Sequence, residues 1–192
     1  MDKEEAIKRL EDKKLPIEEV KEIYETFFDD MQVVSQIAMN LSLRTSVYER
    51  EKEKSPIIKE LLIKLSKAED MSTRWAVAKN PHTPVDILEK LAKDKVNLVR
   101  ALVATNPNTP SHVLSKLFND EKIVRDGLSG NPNTPPKILK TLADDSDKMV
   151  RMRVAENPST PIEVLEYLKN DINEDVVKAV EASLNKRREY EN

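Results

Sequence analysis

The stretch Asn157-Pro158-Ser159-Thr160-Pro161 has three earlier copies in the chain: Asn80-Pro81-His82-Thr83-Pro84, Asn106-Pro107-Asn108-Thr109-Pro110 and Asn131-Pro132-Asn133-Thr134-Pro135, in steps of 26, 25 and 26 residues. A fixed period of this size is the signature of a repeat architecture. After each second proline, apolar residues fall at the third, fourth and seventh positions: Ile87, Leu88 and Leu91, then Val113, Leu114 and Leu117, then Ile138, Leu139 and Leu142, then Val164, Leu165 and Leu168. That spacing is one face of a helix. A second set lies seven and three residues before each Asn, at Thr73 and Val77, Val99 and Val103, Val124 and Leu128, and Val150 and Val154. Each unit therefore reads as two short helices. Helices of about ten residues are marginal alone, and a unit with one apolar stripe per helix has nothing of its own to bury them against, so neighbours must stack. The expected fold is all-α, an α-solenoid of two-helix repeats of about 26 residues.

The motif also explains its own turn. Proline forces the preceding Asn out of the α region, which stops the helix before it, and the second proline suits the first position of the next helix. Thr83 and its equivalents are then expected as N-caps. Asp86 and Glu163 would complete capping boxes in two copies, whereas His112 and Lys137 stand there in the others.

The flanks read as worn copies of the same unit. Pro16 is followed by Val20 and Ile23, and Val33, Ile37, Ala38 and Asn40 match a second helix with Leu41 in place of the proline. Between Asn40 and Asn80 lies an insertion containing the charged stretch Glu49 to Lys54, then a helix-like Pro56 to Lys67. Val177, Val180 and Leu184 make a last amphipathic helix without the Asn-Pro stop, as expected of a terminal cap. The organisation expected is residues 1–67 as an N-terminal helical region with two degenerate repeats and the charged insertion, 68–171 as four regular repeats, and 172–192 as a capping helix with a polar tail.

Composition agrees with a fold that has much surface. Of the 192 residues, 35% are charged and 39% apolar, against roughly 25% and 45 to 50% in an ordinary domain. The net charge of -3 gives no overall drive toward nucleic acid or anionic membranes. The absence of cysteine excludes disulfides, thiolate zinc sites and iron–sulfur clusters, and no apolar run is long enough to span a bilayer. The expected location is the cytoplasm, without membrane contact.

The pattern Val-Arg-x-x-Val-Ala-x-Asn-Pro-x-Thr-Pro, clearest over Val150 to Pro161 and present over Val99 to Pro110 with Leu102 and Thr105 at its variable places, resembles the leucine-rich repeat variant family. The match covers about 74 to 171 well and the rest loosely. The resemblance implies a right-handed superhelix of paired helices, related in shape to HEAT and armadillo solenoids, with binding on an extended concave face. That family's best-known member is said to carry an iron–sulfur cluster on a cysteine module, and this chain has no cysteine to hold one.

Two polar residues recur with the repeat. An arginine stands six residues before each Asn, at Arg74, Arg100, Arg125 and Arg151, and an acid fourteen residues after it, at Asp94, Asp120, Asp145 and Asp171. The arginines could face phosphates, or the two rows could neutralise each other. On a wheel of about 100° per residue, with the position seven before Asn at zero, the arginine falls at about 100°, beside the core stripe. It points along the stack, which favours a structural Arg–Asp ladder joining neighbouring repeats. Positions five and one before Asn fall at about 200° and 240°, facing away from the core. They hold Trp75 and Lys79, Ala101 and Thr105, Asp126 and Gly130, and Met152 and Glu156, and they vary between copies. A strip of Trp75, Lys79, Ala101, Thr105, Asp126, Met152 and Glu156 is the expected partner-binding surface. Trp75 is its one large anchor; the alternative is that it packs on the irregular preceding repeat.

Nothing in the sequence points to catalysis. His82 and His112 lack the spacing of a helical zinc site, and two glycines, Gly127 and Gly130, are too few for a phosphate-cradling loop. No catalytic, metal or cofactor residue is expected. Two functions of different classes remain: a scaffold binding a protein or peptide, and a nucleic-acid-binding solenoid akin to helical-repeat DNA glycosylases. The latter needs aromatics at a base-binding surface, and only 4% of residues are aromatic.

Overall fold

The computed structural model describes residues 1–44 and 55–191. The charged stretch Glu49 to Lys54 lies outside the described residues. Among the described residues the structure is all-helical, with thirteen α-helices and no strand, and it belongs to the α-solenoid class of helical repeats. The chain divides into two compact units, Met1–Asn108 and Thr109–Asn192.

The first unit holds α1 (Lys3–Leu10), α2 (Ile17–Phe27), α3 (Met31–Arg44), α4 (Pro56–Leu65), α5 (Met71–Lys79), α6 (Val85–Leu91) and α7 (Asn97–Thr105). The second helices of successive repeats stack in a row, α1 on α3, α3 on α5 and α5 on α7, while α2 packs on α4 in a row of first helices. The second unit holds α8 (Ser111–Leu114), α9 (Lys122–Gly130), α10 (Pro136–Leu142), α11 (Lys148–Glu156), α12 (Ile162–Leu168) and α13 (Glu174–Glu191), with α9, α11 and α13 stacked in the same way. The core is the two apolar sets read from the sequence: Ile87, Leu88 and Leu91 are buried on a first helix, and Val99 and Val103, Val124 and Leu128, and Val150 and Val154 on second helices. In α13 the buried pair is Val176 and Val180, and Val177 is half-buried. The register is one residue off the expected face because the helix keeps the spacing of the preceding second helices, in which Val150 is followed 26 residues later by Val176.

The motif turn departs from its expected chemistry. Asn80, Asn106, Asn131 and Asn157 are extended, with ψ of 126°, 125°, 124° and 125°. The N-cap of the following helix, however, is the second proline, and no side chain caps that end. The threonine is instead buried and donates backwards: Thr83 to the Val77 carbonyl, Thr134 to Leu128 and Thr160 to Val154, each at 2.6 Å. The last carbonyls of a helix have no partner within it, so a hydroxyl six residues on satisfies one of them and is itself satisfied in the core. Proline already supplies the extended backbone that an N-cap needs, with φ of -59° at Pro84.

α1 stacks as a second helix, and the turn after it departs from the motif. Asp12-Lys13-Lys14-Leu15-Pro16 replaces the motif after α1, and the Asp12 carboxylate accepts the Lys14 N–H at 2.8 Å as Asn80 accepts that of His82 at 2.9 Å. α3 does not stop at Asn40, because Leu41 leaves the backbone free to stay helical, and it runs on to the buried Arg44, which donates to Asn40 and to the Leu15 carbonyl.

Candidate functional site

The recurrent polar residues have structural partners. Asn106 donates its side-chain amide to the carbonyls of Ala78 and Asn80 at 2.8 and 2.9 Å, and Asn157 does the same to Ser129 and Asn131 at 2.7 and 2.9 Å. Asn40 repeats the pattern on Leu10 and Asp12, at 2.7 and 3.0 Å. Meanwhile the Oδ1 of each motif asparagine accepts an N–H two residues on, as Asn106 does from Asn108 at 3.0 Å, whereas that of Asn40 accepts the Arg44 Nε–H at 3.1 Å. One buried amide thus closes its own turn and ties it to the preceding one. The Asn ladder was not read from the sequence, although a signal existed: proline alone stops the helix, so an Asn that never varies before it has a second task.

The arginines form forks. Arg74 meets Asp94 through Nε at 2.6 Å and Nη2 at 3.2 Å, Arg125 meets Asp145 at 2.6 and 3.2 Å, and Arg151 meets Asp171 at 2.7 and 3.0 Å. The remaining Nη1 turns to backbone carbonyls upstream: Arg74 to Glu69, Arg125 to Asp120 and Arg151 to Asp145. Arg100 donates to the Asp94 carbonyl at 2.7 Å, so one loop is held by two successive arginines. Asp94, Asp145 and Asp171 also accept the N–H of Val96, Asp147 and Asn173, which fixes the loop leading to each second helix. Burial pushes the Asp94 and Asp145 carboxyls up, yet the arginine and backbone hydrogen bonds outweigh it and hold both below the ordinary carboxylate value. At Asp171 the hydrogen bond from Arg151 is the largest influence, with the same result.

The outward strip is partly displaced from where the wheel put it. Ala101 is only 7% exposed, and Trp75, Asp126 and Met152 are half-buried, whereas Lys79, Thr105, Gly130 and Glu156 are exposed. Ala101 is therefore corrected from partner surface to buried flank. Second helices that stack at about 8–10 Å cover the flank at about 200°, and a short side chain there cannot reach past its neighbour. In each unit the exposed crest of the second helices lies nearer the position one before Asn, and it includes a position that the sequence reading missed, eight before Asn, where Leu98 of the first unit is 40% exposed and Ile123 and Met149 of the second are 43% and 37% exposed. The two positions are one heptad apart, so the second was legible as an apolar stripe outside the core. The Lys79 ammonium lies 5.1 Å from the centroid of the Trp75 ring. In the second unit the crest is laced with ion pairs, Lys122 to Asp147 at 2.8 Å, Lys148 to Asp175 at 3.0 Å and Arg153 to Asp126 at 3.5 Å. A Cβ at Gly130 would stand 3.5 Å from Cδ of Arg153, an ordinary contact, so packing does not demand that glycine.

Among the described residues no group of three His, Cys, Asp or Glu side chains could hold a metal ion, and no helix is long and apolar enough to cross a membrane. His82 is half-buried in its turn and His112 is exposed, in different units.

No family model matches the chain, and no curated protein matches its sequence. Among solved structures it is similar to one described as a leucine-rich repeat variant with a novel repetitive protein structural motif, at 18% sequence identity over 81% of this chain and 87% of that one, with a TM-score of 0.37.

Proposed function

We propose that the chain is a non-catalytic helical-repeat scaffold that binds a protein or peptide on the exposed face of its second helices. The observation that carries this reading is the exposed apolar residue eight before Asn on second helices, Leu98 in the first unit and Ile123 and Met149 in the second, in a chain whose other recurrent side chains are engaged in its own ladders. Residues that repeat hold the stack, and those that differ between repeats on an exposed crest are free to read a partner. A nucleic-acid reading would need the recurrent arginines to meet phosphates. The forks of Arg74, Arg125 and Arg151 are instead occupied by carboxylates and carbonyls. Residence in the cytoplasm belongs to the same proposal, supported by the lack of cysteine and by the charged surface.

The test is affinity capture by the wild-type chain and by Leu98→Glu and Met149→Glu variants, with melting temperature as a control. A protein retained by the wild type and lost from a variant of unchanged melting temperature supports the reading. Capture of nothing but nucleic acid would overturn it.

A further inference from the structure

The last two motif repeats depart from the others at one place in the second unit. Asp144 stands thirteen residues after its Asn, where the other copies have Lys93, Asn119 and Asn170. Tyr167 stands ten after its Asn, in place of Lys90, Lys116 and Thr141, and Ile172 fifteen after, in place of Lys95, Glu121 and Ser146. The fold brings these three departures together. The loops that follow α10 and α12 line a cavity of about 340 Å³, and Asp144, Tyr167 and Ile172 all belong to its wall. The Tyr167 hydroxyl donates to Asp144 Oδ1 at 2.5 Å, which holds the ring beside the carboxylate. The tyrosine is nevertheless 58% exposed, and Ile172 is 98% exposed. A lone exposed isoleucine would mean little; this one shares a cavity with an exposed aromatic ring and an acid.

The cavity's other charges are committed to the stack. Arg125 holds Asp145 and Arg151 holds Asp171, each through two hydrogen bonds. Among the described residues Asp144 has no cation partner: Lys140, one turn earlier, makes no ion pair with it, and Lys169 holds both oxygens of Glu166. Its Oδ2 is therefore open. Asn170, in the same wall, adds an amide oxygen that accepts nothing among the described residues.

Two acceptor oxygens, an exposed tyrosine face and an aliphatic side chain suit one kind of group. A planar cation with several N–H donors can lie on the ring and meet both oxygens, while its apolar stem runs along Ile172. Guanidinium fits better than ammonium, being flat and more weakly hydrated. An anion would be repelled by the open carboxylate, and an uncharged side chain would strip that carboxylate of water without replacing it by a partner. We propose that this cavity takes an arginine side chain of a partner polypeptide, its guanidinium paired with Asp144 and stacked on Tyr167, its stem against Ile172. The inference rests on the scaffold reading for the class of partner and adds a contact outside the second-helix face.

The test pans a dodecapeptide display library against the full chain, then measures the enriched peptides, synthesised with a fluorescent label, by anisotropy. The expected peptides share an arginine whose replacement by citrulline, alike in shape but uncharged, weakens binding by about ten-fold or more. Asp144→Lys should do the same, and exchanging the peptide arginine for glutamate should restore binding to that variant. Tyr167→Phe keeps the ring and releases Asp144 Oδ1, so affinity should stay within about two-fold, while Ile172→Ser should weaken it by about three-fold. Asp144 and Ile172 are exposed, so their variants should melt with the wild type. Enriched peptides indifferent to Asp144→Lys overturn this inference; where they are lost with Leu98→Glu or Met149→Glu, the scaffold reading stands. A library yielding no binder overturns both.

Discussion

The side-chain amide of Asn106 donates to the carbonyl of Asn80, 26 residues earlier, at 2.9 Å, while the Asn80 carbonyl also accepts the Thr83 N–H of its own turn at 3.1 Å. Both asparagines are about 2% exposed or less. The bond joins two repeats through backbone that would otherwise be buried without enough donors, so its worth is set by what its loss exposes.

Asn106→Ala should therefore destabilise by about 2–3 kcal/mol, since the Ala78 carbonyl loses its side-chain donor and the Asn80 carbonyl keeps only the Thr83 N–H. Asn106→Asp should cost more, because a carboxylate cannot donate and would face two carbonyls. Asp12→Asn should stay within about 0.5 kcal/mol, as Asp12 only accepts. Urea denaturation of the three variants gives the comparison; a neutral Asn106→Asp would remove the ladder from the account of stability.

Arg151→Lys should destabilise nearly as much as Arg151→Ala, by about 3 kcal/mol for the alanine variant. Lysine keeps the charge but cannot span both oxygens of Asp171 and a carbonyl of the preceding loop at once. Full rescue by lysine in thermal melts would show that charge alone matters there.

The depressed carboxyls of Asp94, Asp145 and Asp171 fix the sign of the acid response. A carboxyl whose folded value lies below its unfolded one stabilises fully above the ordinary value near 3.8 and loses that contribution as pH falls through the folded value. Melting temperature should thus fall steeply below about pH 4, and the fall should be shallower in Asp171→Asn, which starts lower at neutral pH. Identical slopes in the two proteins would refute the linkage.

Arg187 occupies the last rung. It donates to the carbonyls of Thr160 at 2.8 Å and Asn157 at 3.1 Å, where an interior repeat would use the next asparagine and this chain has Ser183 at the 26-residue step. Arg187→Ala should free the end of α13 before the rest of the unit melts. Hydrogen exchange should show faster amides in Glu174–Glu191 while α9 stays protected; unchanged exchange would mean that Val176 and Val180 alone hold the cap.

Chain periodicity by itself determined the repeat, the two-helix unit and the identity of the core stripes, because apolar spacing and proline act through local backbone geometry that needs no knowledge of neighbours, whereas it left the arginine row open between phosphates and the aspartates that the fold places 20 residues on. Thr83, Ala101 and Asn106 were decided by the tertiary structure. A threonine before proline can accept from the helix ahead or donate to the one behind, and only the burial made by stacking selects the second. An alanine at about 200° on an isolated wheel faces water until the next helix arrives to cover it. The asparagine amide finds its carbonyls in a turn 26 residues away, at a distance no local pattern encodes, since hydrogen-bond partners between repeats exist only once the repeats are packed.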